Sequence, residues 1–187
     1  SVVRTAVARR LTPYVDAAGG QALMDAPPPR GTIVKTTVRP EAGIAEWTLS
    51  NGATVVLKPT TVKEDQILFR AEAPGGTSLA SDADVIPARV ADAVVPAGGI
   101  GRFSAVVLNK ILAGKAVAVT PFIDELEEGM GGGSTPQDLE TMFQLIYLRF
   151  TQPRADPTAF AAMSSQIKGL LANQLASPDV VFNQAID

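Results

Sequence analysis

The sequence predicts an α+β fold: a mostly antiparallel mixed sheet with helices packed on one face. Three observations predict it. Asn51-Gly52 lies between two apolar-rich arms, residues 46–49 and 54–58, and both residues tolerate the positive φ of a primed hairpin turn. Residues 66–73 alternate, with Ile67, Phe69, Ala71 and Ala73 on one face and Gln66, Arg70 and Glu72 mostly on the other. Strand patterns come first and long helical patterns last, and such runs of like elements belong to α+β layers.

Taken in order, residues 4–16 read as a short helix, broken by Pro13 and closed by Gly19-Gly20. Residues 25–43 read as a linker stiffened by Pro27-Pro28-Pro29, in which 32–38 form an edge strand. The hairpin follows and is the expected seed of the sheet. A helix fits 85–95, with Asp84 as N-cap and Gly98-Gly99 beyond its end. Another fits 105–113, capped by Ser104, with Phe103 stapled to Leu108 and Gly114 at its close. Strands are expected at 116–121 and 123–130. Thr135-Pro136 then opens the clearest helix, whose stripe Leu139, Met142, Phe143, Ile146, Tyr147, Phe150 reads as core. Gln152-Pro153 stops it. Asp156-Pro157 caps a helix bearing Phe160, Met163, Ile167, Leu170 and Leu171, and Ser177-Pro178 opens one more.

Composition narrows the chemistry. Of 187 residues, 46% are hydrophobic and 19% charged, enough to bury a core. The net charge of -3, with no basic cluster, argues against nucleic acid and anionic lipid as partners. No apolar run is long enough for a transmembrane helix. With no Cys, no disulfide holds the fold and the redox compartment is unreadable. With no His either, the chain has no imidazole base, no thiolate and no ordinary zinc site. Any metal would rest on carboxylates, which suit Ca or Mg. The chain opens without Met and stops inside a helical pattern, so it reads as a fragment truncated at its C-terminus.

Two clusters invite functional readings. Asp124, Glu125, Glu127 and Glu128 make either a cation site, a patch that steers basic peptides, or a solvated strand face and turn; the solvated face is the default. Residues 129–133 resemble a phosphate-cradling loop only in their glycines. Ser134-Thr135-Pro136 follows where such a loop needs Lys and Ser/Thr. A mobile turn ending in a helix cap is the simpler reading, and a flexible edge for an added peptide strand is a further one. Trp47 is either an interface anchor or strand-end packing.

Four stretches, in this order and spacing, carry a resemblance: Leu49-Ser50-Asn51-Gly52 with Val55-Val56-Leu57-Lys58-Pro59-Thr60; Ala73-Pro74-Gly75-Gly76; Leu112-Ala113-Gly114-Lys115; and Gly133-Ser134-Thr135-Pro136-Gln137-Asp138-Leu139-Glu140. Together they resemble the insulinase/pitrilysin/mitochondrial processing peptidase family of zinc metallopeptidases, in particular its bacterial periplasmic type with two homologous halves. Active members carry His-x-x-Glu-His on the helix after the hairpin, where two imidazoles bind zinc and the Glu activates water. If Gly98 takes the place of the glycine that follows this motif, Arg89 and Ala93 stand at the two His positions and Asp92 at the Glu.

The resemblance therefore implies a non-catalytic domain, residues 45–187, from the second half, with residues 1–44 as the connector from the preceding half. It implies no catalytic, cofactor-binding or metal residue in this chain, with zinc in the catalytic half. The implied partners are that half and a peptide or unfolded protein, and the implied location is the periplasm or cell envelope. Two other readings stand beside it. One is a structural or interaction protein on the same fold, with catalysis lost throughout. The other is an independent hydrolase, which the lack of His and of a Gly-x-Ser-x-Gly elbow disfavours.

Overall fold

Two antiparallel sheets of three strands and four helices make up residues 20–175, the part of the chain that the computed structural model describes. The helix expected over 4–16 and the one expected to open at Ser177-Pro178 lie outside the described residues.

The first sheet has the order β1-β2-β3, with β1 at Ile33–Arg39, β2 at Ile44–Leu49 and β3 at Thr54–Leu57. The hairpin forms where its turn residues place it, but not as a primed two-residue turn. Gly52 alone has positive φ, at 87°, and its N–H bonds the Leu49 carbonyl at 2.9 Å. The Asn51 side chain accepts from the Ala53 N–H at 3.1 Å, which holds the loop without a left-handed Asn. The edge strand expected within the linker is β1, paired along β2 from Arg39 against Ile44 to Ile33 against Leu49.

The second sheet has the order β4-β6-β5, with β4 at Ile67–Pro74, β5 at Val117–Ile123 and β6 at Glu127–Ser134. The single sheet grown from the hairpin is thus replaced by two. Pro59 has no N–H to extend the ladder of β3, and β4 pairs with β6 instead, Ile67 facing Ser134 and Pro74 facing Glu127. The last strand starts later than expected because Asp124, Glu125 and Leu126 form the β5–β6 turn, closed by Asp124 N–H to the Glu127 carbonyl at 2.9 Å.

The α+β class holds, with helices on one face of this second sheet. The helices are α1 (Val85–Ala97), α2 (Ala105–Ile111), α3 (Leu139–Thr151) and α4 (Pro157–Leu175). Val119 and Met130 of the sheet meet Ile100, Phe103, Leu108, Met142, Leu145 and Leu148 in the buried core. Leu23 joins them from the segment before β1. No residue of the first sheet belongs to this core.

The α3 stripe needs correction. Met142, Leu145 and Leu148 are buried with Thr141, whereas Phe143, Tyr147 and Phe150 are exposed. The apolar arc of this helix is wide enough to hold two stripes, and the one nearer Leu145 faces the sheet.

Candidate functional site

The helix that would carry the chemistry is α1, and its geometry is plain. Arg89, Asp92 and Ala93 stand at i, i+3 and i+4, so they share one face. Arg89 and Ala93 are exposed and Asp92 is half-buried. That face offers a cation, one carboxylate and a methyl group, which cannot hold a metal ion. Among the described residues no three His, Cys, Asp or Glu side chains are grouped to hold a metal. Among the described residues no ion pair joins Arg89 to Asp92. Asp84 does not cap the helix with its side chain; its carboxylate accepts from the Ser81 hydroxyl at 2.6 Å instead.

The glycine beyond α1 has a packing role. A Cβ on Gly98 would run into the Arg154 carbonyl oxygen. Arg154 Nη1 donates to the Gly98 carbonyl at 2.7 Å and to Asp156 Oδ2 at 2.6 Å. Asp156 Oδ1 in turn accepts from the N–H groups of Thr158 and Ala159, both at 3.0 Å, and so caps α4 as expected. These backbone bonds, Ala159 first, and Arg154 hold the Asp156 carboxyl below its ordinary range. Beside this joint lies an apolar cavity of about 510 Å³, walled by Val94, Val95, Pro153 and Phe160.

The acidic cluster divides by role. Glu127 Oε1 pairs with Arg70 Nη2 at 2.5 Å, and Glu72 Oε2 with Arg70 Nε at 2.6 Å. The Arg70 guanidinium also sits over the Phe122 ring, 4.4 Å from its centroid. Asp124, Glu125 and Glu128 are exposed. The backbone of that turn is tied to the Pro74-Gly75-Gly76 stretch: the N–H groups of Gly75, Thr77 and Ser78 donate to the carbonyls of Leu126, Asp124 and Glu125 at 2.9–3.0 Å. A recess of about 280 Å³ lies nearby, lined by Phe122, Ile123 and Phe150 with Glu72 and Glu128. It can take an apolar side chain, and it holds no nucleophile with a base.

The glycine run is not a mobile turn, and it is not an edge. Gly129 to Gly133 lie in β6, the central strand, paired to β4 on one side and β5 on the other. A Cβ at Gly129 would meet the Ala71 carbonyl, and one at Gly132 the Ala118 carbonyl. The glycines let three strands close up, so neither phosphate cradling nor peptide addition at this strand remains.

Two partnerships escaped the sequence. Arg102 Nη1 bonds both carboxylate oxygens of Asp25, at 3.0 and 3.1 Å, and its Nη2 donates to the Ala22 carbonyl at 3.1 Å. Asp138 Oδ2 accepts the Ala116 N–H at 2.8 Å. Both join residues distant in sequence, where no periodicity reaches.

Comparison with known proteins finds sequence similarity to zinc proteases and fold similarity to solved proteases. The chain is 30% identical over 120 residues to a probable zinc protease PqqL of Haemophilus influenzae, covering 64% of the chain and 13% of that protein. It is 31% identical over 124 residues to a zinc protease PQQL-like protein of Arabidopsis thaliana, covering 66% of the chain and 10% of that protein. The solved periplasmic protease PqqL from Escherichia coli superposes with a TM-score of 0.77 at 22% identity, over 97% of this chain and 20% of that one. The ferredoxin protease FusC, solved as an E83A mutant in complex with Arabidopsis ferredoxin, gives 0.72 at 16% identity, over 98% of this chain and 20% of that one. The chain thus spans about a tenth of the length of the curated relatives it matches. No family model matches it.

Proposed function

We propose, from the premise that this chain belongs to the insulinase/pitrilysin family of zinc proteases, that it is the first domain of a non-catalytic second half. In this reading residues 45–187 form the domain and 1–44 the connector from the catalytic half, whose last strand, β1, pairs with the hairpin. The domain scaffolds the catalytic half and lines a chamber that admits peptides or unfolded proteins. Zinc belongs to the catalytic half. The parent acts in the periplasm or cell envelope, as the PqqL neighbour does; among the described residues no helix is long and apolar enough to cross a membrane.

One observation carries the reading. With Gly98 aligned to the glycine that follows the family's motif, Arg89, Asp92 and Ala93 of α1 would stand where zinc chemistry needs His, Glu and His. A buried metal centre needs neutral imidazoles and a carboxylate base, and an exposed guanidinium repels the cation.

The test has two parts. The polypeptide upstream of Ser1 in the parent is inspected for His-x-x-Glu-His with a distal Glu; its absence favours the structural reading over the peptidase one. The catalytic half is then purified and mixed with this chain. Peptide hydrolysis that requires both and stops with a chelator is expected; no gain on mixing counts against the proposal.

A further inference from the structure

The tip of the β2–β3 hairpin carries a reactive pair. Of the asparagines in the chain, Asn51, Asn109, Asn173 and Asn183, only Asn51 is followed by glycine. Asn51 and Gly52 are both exposed, and nothing lies within 4 Å of where a Gly52 Cβ would stand, so the peptide nitrogen between them is unshielded. Asn51 Oδ1 accepts the Ala53 N–H at 3.1 Å, which turns the side-chain carbonyl toward the peptides that follow it. A donor on that oxygen also stabilises the negative charge that would develop there if the carbonyl carbon were attacked. The nearest nucleophile is the Gly52 nitrogen, whose N–H is held by one turn bond, to the Leu49 carbonyl at 2.9 Å. A single bond at an exposed loop tip opens at low cost.

We propose that Asn51 is a self-modifying site, at which the folded protein converts its own amide to aspartate and isoaspartate, and that the isoaspartyl form unlocks the first sheet. The step needs only solvent. Hydroxide takes the Gly52 amide proton, and the Gly52 nitrogen bonds to the Asn51 side-chain carbonyl carbon. The bond from that carbon to its NH2 group breaks, and ammonia leaves with a proton from water. One water then opens the five-membered imide. Opening at the side-chain carbonyl gives aspartate; opening at the main-chain carbonyl gives isoaspartate, which routes the backbone through the side chain and lengthens the loop by one carbon. That loop closes the sheet on both sides. The Leu49 N–H donates to the Ala53 carbonyl at 2.8 Å, and the Ser50 N–H donates to the Thr32 carbonyl, just before β1, at 2.9 Å. β1, β2 and β3 contain no buried residue, so backbone bonds rather than packing fix their register. A lengthened tip strains those bonds first. Asn109 is exposed too, but it lies within α2, where the helix bonds hold its backbone. The inference stands whether or not the reading above does.

The test ages the full-length parent in native buffer at mildly alkaline pH. Samples are mapped by peptide mass spectrometry, and isoaspartate is scored by methylation with a protein isoaspartyl methyltransferase. Asn51 is expected to lose its amide at least about tenfold faster than Asn109, the rate difference set by about 1.4 kcal/mol of additional opening free energy. Hydrogen exchange across residues 44–57 is expected to quicken in step with isoaspartate. Asn51→Ser, which keeps an acceptor for the Ala53 N–H and has no amide to lose, is expected to hold its protection through the same incubation. Freshly prepared Asn51→Asp adds the charge without lengthening the backbone, and is expected to exchange like unaged wild type. The proposal is overturned if Asn51 reacts no faster than Asn109, if it reacts only in urea, or if isoaspartate accumulates with exchange unchanged. Loosening of N51S on ageing, or of fresh N51D, to the extent seen in aged wild type overturns it as well.

Discussion

The carboxylate of Asp138 accepts the backbone N–H of Ala116 at 2.8 Å, and so fastens the approach to α3 onto the entry of β5. The same carboxylate receives the Thr135 hydroxyl at 3.2 Å and lies 3.4 Å from Lys115 Nζ. The Ala116 bond, with Thr135 and Lys115, holds its pKa below the ordinary 3.8. Two of the stretches that carry the family resemblance, Leu112 to Lys115 and Gly133 to Glu140, meet at this one side chain.

Asp138→Asn is therefore expected to lower the thermal midpoint at neutral pH. A carboxyl whose folded pKa is depressed contributes stability that is present above its unfolded value of 3.8 and is lost as pH falls through the lower folded value. The gap between wild type and variant should narrow on acidification across that window. Thermal melts from pH 7 down to pH 2 read this; a gap that stays constant would show that the charge is not what matters.

Gly132→Ala is expected to destabilise the fold by about 1–3 kcal/mol, because the added methyl meets the Ala118 carbonyl. Gly131→Ala should be neutral or stabilising by up to about 1 kcal/mol, since nothing lies within 4 Å of a Cβ there. Urea unfolding of both variants separates neighbouring glycines in one strand.

Leu145→Ala should cost about 2–5 kcal/mol, as a side chain only 2% exposed leaves a cavity among Met142 and Leu148. Phe143→Ala, removing a larger side chain that is 54% exposed, should cost less than about 1 kcal/mol. The same unfolding measurement applies, and the reverse ranking would restore the aromatic stripe to the core.

The segment before β1 is held by burial more than by charge. Leu23 is only 8% exposed in the core, so Leu23→Ala should cost about 2–5 kcal/mol. Arg102→Ala removes a bridge whose side chains are 53% and 82% exposed, worth about 0–1 kcal/mol. Limited proteolysis between residues 20 and 32 should therefore accelerate with the Leu23 variant and change little with the Arg102 variant.

Local chemistry was the most legible layer. Thr135 and Asp156 cap as their positions suggested, because a cap is decided within three residues. Strand alternation placed Ile67 and Phe69 on the inner face of β4. Strand partners were less legible. Nothing local in 66–73 distinguishes the hairpin from β6 as its neighbour, and glycines that look like a loop in isolation pack as a central strand once Ala71 and Ala118 press on either side. The α3 stripe failed for a related reason: an arc running from Leu139 to Phe150 satisfies helical spacing twice, and only the sheet decides which half is covered.

The order β4-β6-β5 has a consequence for how the chain is made. The hairpin sheet closes through near neighbours and can form as soon as Leu57 is synthesised. β4 has to wait: its partner begins only at Glu127, after α1, α2 and β5 have been added. Pairings so distant along the chain fold slowly. During that interval Leu68 and Phe69 are carried by an unpaired strand, the kind of edge that other nascent chains can capture. Chaperone dependence and loss to aggregation during synthesis should therefore track substitutions in β4 more than those in the hairpin.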